Sequence, residues 1–101
     1  MAKQIIWSKE AYEDLSSIAE FIEIDSKYYA SVFIEEIYEK ATTLKTLFRR
    51  GRIVPEILDE NTREIFIRDY RLVYRIESKQ IIVVAVLHGS RDIRKVLRKR
   101  K

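Results

Sequence analysis

The fold is decided by residues 70–88, YRLVYRIESKQIIVVAVLH. In an extended chain alternate side chains point to opposite sides, so Tyr70, Leu72, Tyr74 and Ile76 share one face and Arg71, Val73 and Arg75 the other. Ser78-Lys79-Gln80 reads as a short turn. Ile81–Leu87 is apolar at every position, the pattern of a strand that is central or covered on both sides. Just upstream, Arg63–Arg68 alternates as well, with Ile65 and Ile67 on one side, and Asp69 marks a tight turn. Three consecutive strands joined this tightly form an antiparallel meander.

Working outward, the period changes from 2 to 3.6. Ala11, Leu15, Ile18, Ala19 and Ile22 recur at helical spacing over residues 9–24, with Ser8 as the N-cap and Glu10 in the positive first turn. A second stripe follows after Asp25-Ser26: Ala30, Phe33, Ile34, Ile37, Ala41, Leu44 and Phe48. Two amphipathic helices with almost no loop between them fold back as an antiparallel hairpin. Ahead of them, Lys3–Trp7 is rich in β-branched and aromatic residues and reads as a short strand. Residues 49–61 hold Gly51 and the only proline, Pro55, among charges, and read as a loop. After Leu87, Gly89 bends the chain, Ser90 is placed to cap, and Ile93, Val96 and Leu97 mark a short basic amphipathic helix. The expectation is a single α+β domain over residues 1–101, ordered β–α–α–β–β–β with a C-terminal helix. The hairpin covers one face of a mostly antiparallel four-stranded sheet, and the other face is left for chemistry or a partner.

Composition narrows the function. The 101 residues carry a net charge of +4 and no cysteine, which excludes disulfides and thiolate metal sites. No apolar run approaches the roughly 18 residues of a membrane helix, and the opening MAKQIIWSKE lacks the apolar core and cleavage site of a signal peptide. A cytoplasmic location is expected. The charge is unevenly spread: residues 1–48 sum to −4, residues 49–90 to +2 and residues 91–101 to +6, and every arginine lies at or after Arg49. An acidic front and an arginine-bearing back suit a polyanion or an acidic protein as partner, or else a solubilising tail.

One histidine and no tight carboxylate cluster argue against a zinc site, and two glycines in the chain leave no phosphate-cradling loop. No cofactor is expected. His88-Gly89-Ser90 offers residues of a hydrolytic triad but not their separation along a strand. What remains is arginine on strands. Arg71 and Arg75 project from one face, His88 at the end of the next strand is placed to share it, Arg63 opens the meander and Arg91 follows it. Guanidinium groups suit bidentate contact with phosphates or carboxylates, and a histidine titrates near neutral pH. The plainer alternative pairs Arg71 and Arg75 with Glu64 or Glu77, makes His88 a hydrogen-bonding residue, and makes Tyr28, Tyr29 and Tyr38 packing or rim residues.

Taken in order, Ile5-Ile6-Trp7-Ser8-Lys9-Glu10-Ala11, Asp14-Leu15, Gly51-Arg52-Ile53-Val54-Pro55-Glu56, Arg63-Glu64-Ile65, Tyr70–Ile76 and Val86-Leu87-His88-Gly89-Ser90-Arg91-Asp92 resemble the RelE/ParE toxin superfamily over nearly the whole chain. The resemblance implies the toxin of a type II toxin–antitoxin pair, neutralised by an antitoxin that wraps an otherwise disordered acidic segment around it. Two branches imply different targets. The RelE-like branch implies a metal-independent, ribosome-dependent mRNA endonuclease, with Arg63, Arg71, Arg75 and His88 as the catalytic set. That branch often places a tyrosine near the C-terminus, and no aromatic residue follows Tyr74 here. The ParE-like branch, to which the Tyr-Arg-Leu-Val-Tyr-Arg strand and the His-Gly-Ser-Arg-Asp ending are nearer, implies a DNA gyrase poison that performs no reaction. Arg52, Arg71, Arg75, Arg91, Arg94 and Arg98 are then partner-binding residues. A third alternative is an inactive homologue that acts only as an antitoxin partner.

Overall fold

A computed structural model describes residues 2–100. The elements follow in the order β1 (Gln4–Trp7), α1 (Lys9–Asp25), α2 (Lys27–Thr43), β2 (Arg52–Ile53), β3 (Thr62–Ile67), β4 (Tyr70–Ile76), β5 (Gln80–His88) and α3 (Ile93–Arg98). Each helix of the hairpin starts on a serine. Ser8 Oγ accepts the Ala11 N–H at 3.0 Å. Ser26 serves both helices: its N–H closes α1 on the Ile22 carbonyl, and its Oγ accepts the Tyr29 N–H at 3.2 Å to open α2. One extended residue thus satisfies end groups of both helices and fixes the hairpin angle. The helix ends at Thr43, earlier than the apolar stripe, whose last members Leu44 and Phe48 still pack on the core.

The sheet has five strands in the order β1-β5-β4-β3-β2, antiparallel except for the parallel pairing of β1 with β5. The four-stranded sheet expected from sequence gains β2, because Arg52 and Ile53 of the supposed loop pair with Glu64 and Arg63. Gly51 allows that pairing. A Cβ there would lie 2.6 Å from the Glu64 carbonyl oxygen and 2.6 Å from the Tyr74 hydroxyl. Tyr74, fully buried, uses that hydroxyl to accept the Gly51 N–H at 3.0 Å and to donate to the Phe48 carbonyl at 2.8 Å.

Leu15, Phe33, Ile37, Ile65, Leu72, Tyr74, Ile81 and Val83 form the main core under the hairpin. The opposite face is not left open, as the sequence suggested. Val54, Val73, Ala85, Leu87, Ile93 and Val96 build a second cluster there, roofed by α3 and the chain after β2. Asp92, not Ser90, caps α3, its carboxylate accepting the Arg94 N–H.

One irregularity decides where the end of β5 points. Val73 pairs with Ala85 but Tyr74 pairs with Val83, leaving Val84 as an extra residue. Such a bulge reverses the phase of the strand beyond it. Ile81 and Val83 face the hairpin, Ala85 and Leu87 face the second cluster, and Val86 faces the hairpin again. Beyond Trp7 no strand among the described residues lies beside the β5 edge, and an ion pair fills the gap. Asp14 of α1 accepts the Val86 N–H at 3.0 Å, Arg100 donates to the Val84 carbonyl at 2.9 Å, and the two side chains pair with each other.

Candidate functional site

The second face of the sheet carries the arginines, and burial determines their chemistry. Glu64 on β3 and Arg71 on β4 project on this side, with side chains 0% and 4% exposed. Arg71 Nε donates to Glu64 Oε1 at 2.6 Å, and its two terminal nitrogens grip Glu56 at 2.8 and 2.9 Å. A further N–H goes to the Arg91 carbonyl at 3.0 Å. Arg52 takes the other oxygen of Glu64 at 2.6 Å while its guanidinium lies over the Phe66 ring. Two arginines and two glutamates therefore form one neutral ladder, with partners in place for the buried side-chain atoms. The Arg71 hydrogen bonds hold the Glu56 carboxyl down to about 2, against the opposing effect of burial. Pairing with Glu56 raises Arg71 in turn. Mechanically, the ladder clamps the loop after β2 and the approach to α3 onto the sheet.

The residues proposed from sequence as one basic constellation are thus separated. Four of the five Arg71 N–H groups are engaged in hydrogen bonds. Arg75 projects on the same face but is half exposed and pairs with Glu77 at 3.1 Å. Pairing with Glu64 and Glu77 is the plainer alternative that the sequence offered. Arg63 lies on the hairpin side in register with Tyr74, and donates to the carbonyls of Glu60, Arg49 and Gly51, tying the segments before β2 and before β3 together. His88 does not share the face of Arg71. It is in register with Tyr70 and its ring meets the Tyr70 ring edge-on at 5.6 Å, on the hairpin side, because the Val84 bulge has turned it over.

His88 is exposed and held by its neighbour. Its Nδ1 accepts the Ser90 N–H at 3.2 Å and lies 2.8 Å from Ser90 Oγ. Sequence spacing had placed these two apart on a strand; the strand ends at His88, and the turn at Gly89 brings them together. With Nδ1 accepting, the neutral ring carries its proton on Nε2. Among the described residues no carboxylate orients this pair, so a serine–histidine–acid triad is not assembled.

The exposed basic groups form a surface instead. Arg52, Arg75, Arg91, Arg94 and Arg98 are exposed, together with Lys95 on α3 and Lys99 at its C-cap. Among the described residues, no carboxylate lies within 4 Å of Arg91, Lys95, Arg98 or Lys99. Arg71 is removed from the expected partner-binding set by its burial. Sequence reasoning missed Glu56, Asp14 and Arg100 as the residues that fasten this surface. No helix among the described residues is long and apolar enough to cross a membrane.

Residues 5–93 match the family described as the ParE toxin of type II toxin–antitoxin system, parDE. No curated protein matches the sequence. Among solved structures, a chain of the chromosomal ParDE toxin–antitoxin system of P. aeruginosa superposes with a TM-score of 0.71 at 17% identity, covering 86% of this chain and 96% of that one. A chain of the RelBE2 toxin–antitoxin complex of Mycobacterium tuberculosis gives 0.59 at 19% identity, covering 87% and 99%. The conserved hypothetical protein HP0894 of Helicobacter pylori gives 0.54 at 18% identity, covering 89% and 97%. At these identities the solved structures share the fold.

Proposed function

Since the chain belongs to the ParE toxin family of type II toxin–antitoxin systems, we propose that it arrests growth by binding DNA gyrase as a ParE-like poison, without performing a reaction of its own. The observation that carries this reading is the dispersal of the catalytic set. A phosphodiester-cleaving site needs its charge-stabilising arginines and its proton-transferring group around one phosphate. Here Arg71 is held by two glutamates, and His88 lies across the sheet from it. Recruiting Arg71 to a phosphate would strip Glu56 of its clamp and leave enclosed Glu64 with Arg52 alone, at a cost of about 3–5 kcal/mol.

In the same proposal, an acidic antitoxin segment covers the exposed Arg52, Arg75, Arg91, Arg94 and Arg98. That assignment draws on charge complementarity, and it expects affinity for the antitoxin to fall as salt screens the contacts beyond about 10 Å at 0.1 M.

The test is a paired assay on the purified chain and its His88→Gln variant, with gyrase supercoiling in one arm and mRNA cleavage by programmed ribosomes in the other. The expected result is inhibited supercoiling or trapped cleaved plasmid, intact mRNA, and no more than a twofold effect of His88→Gln. Cleaved mRNA that vanishes in His88→Gln, with unaffected gyrase, would reverse the assignment in favour of a RelE-like endonuclease. No effect on gyrase or mRNA, and no arrest of growth when the chain is induced without antitoxin, would leave an inactive homologue that serves only as an antitoxin partner.

A further inference from the structure

The last turn of α1 and the first turn of α2 carry large apolar side chains that cover nothing. Phe21 is 69% exposed, Ile24 80%, Tyr28 72% and Tyr29 61%, and no residue from Glu20 to Tyr29 is buried. The buried positions of the hairpin run from Ala11 to Ala19 and from Ala30 to Ala41, so the tip extends beyond the packed part of the sheet. Phe21 and Ile24, three apart on a helix, lie side by side, and the Tyr28 and Tyr29 rings meet edge-on at 5.5 Å. Ser26, capping both helices, holds this cluster in a preset shape, which reduces the ordering cost of docking. Rigid exposed aromatic residues are the usual anchors of protein interfaces.

Charge identifies the occupant. The charged residues within the tip are Glu20, Glu23, Asp25 and Lys27, a net −2, and α1 as a whole carries six carboxylates against Lys9 alone. The acidic segment proposed for the basic face is repelled here. An apolar pocket with a lysine- and arginine-rich rim is attracted, and proteins that grip DNA present basic surfaces of this kind.

We propose that the hairpin tip is the surface with which this toxin docks on its target protein, into an apolar pocket rimmed by basic side chains, separately from the face that the antitoxin covers. The inference rests on the reading of the chain as a binding toxin. It leaves the tip and the basic face free to be occupied by different partners.

The test is the triple variant Phe21→Gln, Ile24→Gln, Tyr28→Gln, in which glutamine preserves helix propensity. Three readings are taken: growth arrest on induction, supercoiling by purified gyrase, and binding of the purified cognate antitoxin. A second variant, Glu20→Lys, Glu23→Lys, keeps the apolar anchors and reverses the rim. The expected outcome is at least a hundredfold loss of potency in the triple variant, about tenfold in the rim variant, and antitoxin affinity within threefold of wild type in both. Undiminished growth arrest by the triple variant overturns the proposal. Loss of antitoxin binding in a variant that still melts cooperatively assigns the tip to the antitoxin and also overturns it, as does a wild-type dimer that the triple variant dissolves. Wild-type arrest of growth with untouched gyrase defeats the gyrase reading alone, because the triple variant's growth curve still decides the role of the tip.

Discussion

The hairpin tip and the arginine-bearing end of the sheet invert the usual roles of their residue types. At the tip, phenylalanine, isoleucine and tyrosine stand in solvent on a locally capped frame. At the sheet end, a glutamate and an arginine are enclosed, and their hydrogen bonds join β3, β4, the loop after β2 and the approach to α3. The tip is held by contacts between near neighbours, such as Ser26 with Ile22 and Tyr29. The sheet end is held by contacts between residues far apart in sequence, such as Arg71 with Glu56 and Arg100 with Asp14. The enclosed Arg71 and Glu64 therefore tie elements of the fold together, while the apolar side chains of the tip stand exposed.

The largest effect expected from this contrast comes from Arg71→Ala. It leaves fully enclosed Glu64 with Arg52 as its remaining side-chain partner and Glu56 without its clamp, so the loss of stability should be about 3–5 kcal/mol by equilibrium urea unfolding. The tip triple variant, changing only exposed positions, should stay within about 0.5 kcal/mol per site of wild type in the same measurement. Comparable losses from both would erase the distinction between the two regions.

Next in size is removal of residues 94–101. By sequence alone this basic tail, with Val96 and Leu97 as its only apolar members, suits either a partner or solubility. In the structure these two close the second cluster, Val96 being 7% exposed, and Arg100 binds Asp14 and the Val84 carbonyl at the open β5 edge. Truncation uncovers Val73 and Leu87 as well, and should cost about 2–4 kcal/mol. A truncated chain that unfolds at the wild-type urea midpoint would return the tail to a solubilising role.

The limits of the sequence reading have the same physical origin. The hairpin was legible because both of its stripes are interrupted by polar residues at each turn, and its caps are serines at the stripe ends. The meander was legible in β4, where arginine alternates with apolar residues and so records which way each side chain points. In β5 that record is missing. Ile81–Leu87 is apolar throughout, so one extra residue at Val84 changes the face of His88 without changing the pattern. β2 escaped notice because two paired residues are too few to show a period. Its signal is Gly51, required by the close approach of Tyr74 and the Glu64 backbone. The ladder was half visible: Glu64 was named as a partner for arginine, but Glu56 reaches Arg71 only through the fold.

The smallest predicted effect is also the most specific to the ladder. Glu56 titrates at about 2 in the fold against an ordinary 4.5, mainly because Arg71 donates to it. A carboxyl depressed on folding contributes stability that is full above its unfolded value and is lost as pH falls through its folded value. The window is therefore pH 4.5 down to 2. Since the side chain is about one-fifth exposed, solvent screening reduces the contribution to about 1–2 kcal/mol. Urea unfolding of wild type and Glu56→Gln at pH 7, 4 and 3 isolates it. The variant should be the less stable at pH 7, and the gap should close as the solution is acidified, because protonated Glu56 and glutamine offer Arg71 much the same neutral acceptor. Parallel curves would mean that Arg71 draws its support from Glu64 alone. The clamp on α3 would then rest on packing of Ile93 and Val96, and the comparison with the hairpin tip would lose its electrostatic half.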